Sequence, residues 1–178
     1  MWNWWNFLER EASERGKRVL RLNLDETNVA FFYPHARGNV VYRKRRLPNA
    51  ERPVQAARRS KLRTTFTHVG IVCDQADMQP LLPQLLLFNS KHVTRAQLHA
   101  LLPTLPPNVY VKVSGSAWSS GRIHAALMVL LGQVLEPFLD VWQPLLTLGT
   151  AGIHLDENVI ARAFVANIWY CVIPAGCT

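Results

Sequence analysis

The chain has 178 residues, 49% of them apolar and 18% charged, with three cysteines and a formal net charge of +8. That length and balance fit one folded domain with its own core and exclude a disordered chain. Cys73, Cys171 and Cys177 are odd in number and form no C-x-x-C pair, which argues against a disulfide framework or a cysteine zinc site.

Residues Trp2 to Arg15 space Trp5, Leu8 and Ala12 at three and four residues, with Glu9, Arg10, Glu11 and Glu14 on the other face. This spacing predicts an amphipathic helix that packs on the domain and ends at Gly16. Val19 to Leu24 follows as an apolar strand that delivers Asp25 at its end. Asn28 to Tyr33 reads as a second apolar stretch, Pro34 to Gly38 as a turn, and Val40 to Tyr42 as a short strand.

The segment Arg43 to Arg63 holds nine basic residues and a single acid, Glu51, so the whole excess of positive charge lies there. Pro48 and Pro53 interrupt it and it has no apolar period, so it reads as a loop. Thr64 to Cys73 is a β-rich strand, Gln79 to Pro83 an irregular apolar crossing, and Leu85 to Phe88 a further strand. A short helix is predicted over Thr94 to Leu102 with Thr94 as its cap, then a strand over Val109 to Val113 and a turn over Ser114 to Ser120.

The long helix Gly121 to Leu139 places Ile123, Leu127, Leu130, Leu131, Val134 and Leu135 on a broad buried face. Strand Pro144 to Leu148, the loop Gly149 to Gly152, a helix Glu157 to Ala166 capped by Asp156, and strand Ile168 to Ile173 complete the order. A meander followed by alternating helix and strand predicts an α/β domain with a mixed sheet. The longest apolar run, Ala125 to Leu131, is too short to cross a bilayer, so no membrane association is expected.

Carboxylates at strand ends can converge on hard cations, and two such ions clamp the attacking and leaving oxygens of a phosphodiester. Asp25 is the candidate of that kind. The segment Leu22-Asn23-Leu24-Asp25-Glu26-Thr27 resembles the first-aspartate motif of DDE superfamily endonucleases, specifically the pogo/Tigger-like transposases. Arg63-Thr64-Thr65-Phe66-Thr67-His68-Val69 is similar to that family's next strand, and Gln79-Pro80-Leu81-Leu82-Pro83 to its proline-bearing stretch. Ser116-Ala117-Trp118-Ser119 resembles its tryptophan turn, and Pro174-Ala175-Gly176-Cys177-Thr178 its Pro-Ala-Gly-x-Thr element.

The resemblance implies an RNase H-like mixed sheet with flanking helices, incomplete at the C-terminus. Its parts would be an N-terminal helix over residues 1–18 and a partial DDE-type domain over 19–178 carrying the basic loop 43–63. It also implies a Mg²⁺- or Mn²⁺-dependent endonuclease ancestry, with hydrolysis and strand transfer on DNA. Two acids of that centre are missing: Leu145 to His154 is similar to the segment bearing the second aspartate, where Gly149 stands, and the third would lie beyond Thr178. Asp25 is then the sole catalytic and metal-binding acid, metal binding is at most weak, and the domain is expected to be catalytically defective.

Glu26 should point away from Asp25 because strand side chains alternate. Asp156 and Glu157 read as a helix cap and first-turn acid, Asp74 and Asp77 as turn formers, and His154 as packing or bonding near Gly149. Arg43, Lys44, Arg45, Arg46, Arg58, Arg59, Lys61 and Arg63 are the residues expected to meet DNA phosphates. Arg43-Lys44-Arg45-Arg46 also has the composition of a nuclear localisation signal, which together with the resemblance points to the nucleus, with the cytoplasm as the alternative. No small-molecule substrate is expected. The alternative function is a non-catalytic basic nucleic-acid-binding or protein-interaction module.

Overall fold

The structure is a computed structural model and describes residues 2–30 and 65–174, with the side chains of Trp2, Asn3 and Ala30 not described. The predicted turn at Pro34 to Gly38, the strand Val40 to Tyr42 and the whole basic loop Arg43 to Arg63 lie outside the described residues, as do Ala175 to Thr178. Among the described residues there are four α-helices, α1 (Trp2–Glu14), α2 (Arg95–Leu101), α3 (Gly121–Leu135) and α4 (Glu157–Val165). Six strands accompany them: β1 (Arg18–Ala30), β2 (Thr65–Cys73), β3 (Gln84–Asn89), β4 (Val109–Ser114), β5 (Trp142–Gly149) and β6 (Trp169–Ile173).

The strands form one mixed sheet in the order β4-β3-β2-β1-β5-β6. β1 and β2 pair antiparallel, as do β2 and β3, whereas β1 with β5, β5 with β6, and β3 with β4 are parallel. The fold is therefore α/β with a mixed six-stranded sheet flanked by helices, compatible with the RNase H-like arrangement that the resemblance implies. None of the helices described is long and apolar enough to cross a membrane.

Local chemistry accounts for most element ends. Gly16, at φ 71°, turns the chain out of α1 in the left-handed conformation that glycine adopts without penalty. Thr94 and Gln97 form a reciprocal capping box at the start of α2, and Asp156 accepts the Asn158 amide at the start of α4. α3 stops at Leu135, short of the predicted Leu139, because Pro137 has no N–H for a further α-turn; residues Glu136–Phe138 tighten into a 3₁₀ turn instead.

β1 departs most from its predicted form. It continues through Asp25 to Ala30 rather than ending at Leu24, and its whole polar second half is paired with β2, from Asp25 opposite Gly70 to Ala30 opposite Thr65. Asp25 is thus a mid-strand residue. The polar run after Leu24 conceals this, because an edge-like polar composition was compatible with a turn, and only the partner strand satisfies those backbone groups.

The core lies between the sheet and the pair α3–α4. Leu20, Leu22 and Leu24 of β1 and Val69 and Ile71 of β2 meet Leu127, Met128, Leu131 and Leu135 of α3, together with Val159 and Ala163 of α4. β5 is buried from Gln143 to Leu148, the pattern of a parallel strand covered on both faces. On the opposite face of β1, Arg21 pairs with Glu9 of α1 and stands 3.6 Å from Asp74, tying the N-terminal helix to the end of β2.

Close approach of α3 and α4 depends on a glycine. A Cβ at Gly132 would stand 2.6 Å from the Cβ of Ala166. In a free helix Gly132→Ala would gain about 1 kcal/mol of propensity. Here we expect it to destabilise by roughly 1–2 kcal/mol, because overpacking outweighs propensity where neither backbone can yield. The midpoint of urea unfolding checks the sign.

Candidate functional site

Alternation along β1 sends successive side chains to opposite faces, and the end of this strand therefore serves two different environments. Leu20, Leu22, Leu24 and then Glu26 face α3, while Arg21, Asn23 and Asp25 face the other side. β1 and β5 are in parallel register from Arg18 opposite Trp142 to Asn23 opposite Thr147. Two residues further along stand Asp25, midway along β1, and Gly149, the last residue of β5.

That register is locked by side chains. The Thr147 hydroxyl donates to the Leu22 carbonyl at 2.8 Å, and the Asn23 amide donates to Thr147 Oγ1 at 3.3 Å. On this face Asp25 is exposed, and one of its oxygens accepts the Glu26 backbone N–H at 2.9 Å. Gly149 offers no side-chain oxygen, and among the described residues Asp25 belongs to no cluster of three metal-ligating groups. A hard divalent ion such as Mg²⁺ needs a near-octahedral oxygen set, so the residues present on this face do not fit it.

The other face carries the denser chemistry. Glu26 Oε1 lies 2.9 Å from His124 Nε2 and 3.2 Å from His154 Nε2. His124 is fully buried, His154 is 2% exposed, and the Glu26 side chain is 21% exposed. The two imidazoles stand 5.3 Å apart, centre to centre, tilted by 45°. One donor atom from each of the three side chains lies within 4.8 Å of the others, the one such cluster among the described residues.

Each member arrives from a different element. Glu26 continues the inward series of β1. His124 lies three and four residues before Leu127 and Met128, on the buried stripe of α3. His154 sits in the 3₁₀ turn Gly152–Leu155 after β5, where its Nδ1 meets the Gly149 carbonyl at 2.7 Å. The Tyr170 hydroxyl of β6 donates to the His154 carbonyl at 2.8 Å and fixes that turn from the other side. The expected local bond between His154 and Gly149 is present; the partnership of His154 with Glu26 and His124 was not foreseen.

Electrostatics follow from this enclosure. Burial would raise the Glu26 carboxyl, but the imidazoles of His124 and His154 beside it outweigh burial and bring it down to about 2. Bonding to Glu26 raises His154, against the opposing effect of its own burial and with help from the Gly149 carbonyl and the charges of Glu26 and Asp25. Burial, then the charges of Glu26 and Asp156, push the Tyr170 phenol up to about 12. His124 differs from His154: its Nε2 stands 2.9 Å from Glu26 Oε1 without the alignment of a hydrogen bond, and its Nδ1 has no partner among the described residues.

Glu26 also lines a cleft of about 390 Å³. Asn28, Thr65, Thr67, Trp118 and Ser119 line its walls. Thr67 Oγ1 donates to the Ala117 carbonyl at 2.7 Å, which holds the Ser114–Ser120 turn against β2, and Trp118 is 78% exposed at the rim. Asp156 is a helix cap as expected; Asp74 lies at the bend after β2, where it accepts the Arg21 backbone N–H at 3.2 Å, and Asp77 lies in the turn that follows. The basic residues Arg43, Lys44, Arg45, Arg46, Arg58, Arg59, Lys61 and Arg63 lie outside the described residues.

The titrations of Glu26 and His154 have opposite signs. A depressed carboxyl contributes stability above its ordinary value of 4.5, lost as pH falls toward about 2. A raised imidazole contributes stability below its ordinary value of 6.5, lost as pH rises through the raised value. In metal-free buffer, Glu26→Gln should therefore cost most between pH 4.5 and 6.5, by roughly 3 kcal/mol for a broken buried pair. Urea unfolding of both proteins across pH 3 to 9 measures the difference, which should narrow on either side of that window.

No protein-family model matches the chain, and neither a curated protein nor a solved structure matches it.

Proposed function

We propose that the chain is a transposase-derived, RNase H-like domain that binds nucleic acid and does not cut it. The observation that supports this reading is the register of the parallel pair, which, continued two residues past Asn23 and Thr147, puts Asp25 of β1 level with Gly149 at the end of β5. That is where a two-acid metal centre of the DDE kind would be assembled, and here one of its two positions carries no carboxylate. A single exposed aspartate cannot supply the oxygens that would hold two ions on a phosphodiester, so the catalytic step is lost while the scaffold remains.

Binding is assigned to the segment Arg43 to Arg63, whose nine basic residues and one acid would neutralise phosphates with little regard to base sequence. DNA is accordingly the partner, the nucleus the expected compartment, and Mg²⁺ or Mn²⁺ a cofactor of the ancestor rather than of this chain.

Fluorescence anisotropy with a labelled duplex tests the binding. If about six phosphates are neutralised, affinity should fall about 10³-fold between 50 and 200 mM salt. Binding that is absent, or indifferent to salt, would count against the reading. Supercoiled plasmid should not be nicked with Mg²⁺ present, and nicking that disappears in Asp25→Asn would show the centre to be active after all. A Cβ at Gly149 meets no atom within 4 Å, so Gly149→Asp should fold normally and gain Mg²⁺ binding detectable by titration calorimetry, which the wild type lacks.

A further inference from the structure

We propose that Glu26, His124 and His154 form a binding site for one divalent ion of borderline softness, Zn²⁺ foremost, between β1, α3 and the turn after β5. This site faces away from Asp25, and it stands or falls separately from the nucleic-acid reading. Two imidazoles and one carboxylate are a ligand set that zinc accepts, with a fourth position left for water. Mg²⁺ prefers oxygen throughout and is not expected here.

The hydrogen-bond directions call for a cation in the cluster. The Gly149 carbonyl can only accept, so His154 Nδ1 must carry the proton that it donates there. In the neutral ring Nε2 is then a bare lone pair, and it faces a carboxylate oxygen at 3.2 Å. Lone pair against lone pair is repulsive, so a positive charge must lie between them, either a second proton or a metal ion. The same Glu26 oxygen is approached by His124 Nε2 at 2.9 Å, so one metal ion could engage a lone pair from each of the three side chains.

His124 supplies an independent pointer. It is wholly buried, and neither ring nitrogen has an aligned hydrogen-bond partner among the described residues. A buried imidazole left unsatisfied at both nitrogens is costly and uncommon. Coordination through Nε2 would relieve one of them. The fit in distance is close: with zinc bonds of about 2.0–2.1 Å, tetrahedral donors stand about 3.3 Å apart. Two of the three donor separations, 2.9 and 3.2 Å, need to open by only a few tenths of an ångström, and the third lies within 4.8 Å.

The surroundings match a resident ion as well. Metal-bound histidines are usually oriented by a bond from the other ring nitrogen to a carbonyl or carboxylate, which is what Gly149 does for His154. Glu26 is the one ligand that opens on the 390 Å³ cleft, and the buried hydroxyl of Ser119, also without an aligned partner among the described residues, lines the same cleft. The open coordination position is on that side.

The test uses the whole chain, stripped with chelator and dialysed against Zn²⁺ or Mg²⁺ in separate arms. Elemental analysis should find one Zn²⁺ per chain and no retained Mg²⁺. Glu26→Gln and His154→Gln should each weaken Zn²⁺ by at least about 100-fold, since loss of even an outer partner costs about 10–100-fold. Asp25→Asn, on the other face, should leave it within twofold. Because the ligand variants could lose their fold, ¹⁵N-histidine spectra of the wild type provide a second measurement. Zn²⁺ should shift Nε2 of two histidines while one bonded Nδ1–H persists. Absence of stoichiometric zinc, retention of zinc unchanged in Glu26→Gln, or shifts confined to the exposed His92 and His99 would overturn the assignment.

Discussion

The parallel pairing of β1 with β5 is the constraint on which the rest of this molecule depends. β1 is one of the two central strands and β5 lies beside it, and their register decides which of their residues stand side by side. A slip of one residue would exchange the faces of every side chain on β1. It would drive Arg21, Asn23 and Asp25 into the leucine core and expose Leu20, Leu22 and Leu24. The apolar series therefore fixes the register far more firmly than the polar residues could. The Thr147 hydroxyl on the Leu22 carbonyl adds a directional check at the point where the apolar run ends.

Once the register is set, Glu26 is forced toward the interior. It follows three buried leucines at the same two-residue spacing, and it opens on the cleft. A carboxylate in such a place needs compensation, or it would take up a proton and become neutral. Compensation comes from α3 and from the turn after β5, so the charge pins together three elements that are far apart in the chain. That dependence is specific in direction: the hydrophobic contacts of α3 would tolerate a small rotation of the helix, whereas the approach of His124 to Glu26 would not.

Much of this architecture was legible from the residues. The strand spacing, the Gly16 and Asp156 helix boundaries, the Thr94 cap and the mixed sheet all follow from local patterns, because each depends on residues a few positions apart. The full length of β1 did not, since Asp25-Glu26-Thr27-Asn28 has the composition of a turn and is held extended only by β2. The Glu26 cluster was half legible. Alternation shows that Glu26 leaves the Asp25 face, and the stripe of Leu127, Met128, Leu131 and Leu135 puts His124 on the inner side of its helix. That these side chains meet is a property of tertiary packing, and a helix face names no partner on the sheet.

The two faces of β1 at Asp25 and Glu26 are chemically separable. His154 is oriented by the backbone carbonyl at position 149 and not by any side chain there. Replacing an acid by glycine at that position would remove a ligand from the Asp25 face while leaving the imidazole geometry on the Glu26 face intact. It would also leave a Cβ-sized space that nothing else occupies. The inner cluster has no such freedom. Its loss would strand a buried imidazole or a partly buried carboxylate without its counter-charge, at a cost of about 3–5 kcal/mol, a large part of the stability of a domain this size. Stability therefore protects Glu26, His124 and His154 whether or not the opposite face retains any chemistry, and Asp25, exposed and unburdened, is held by no comparable penalty.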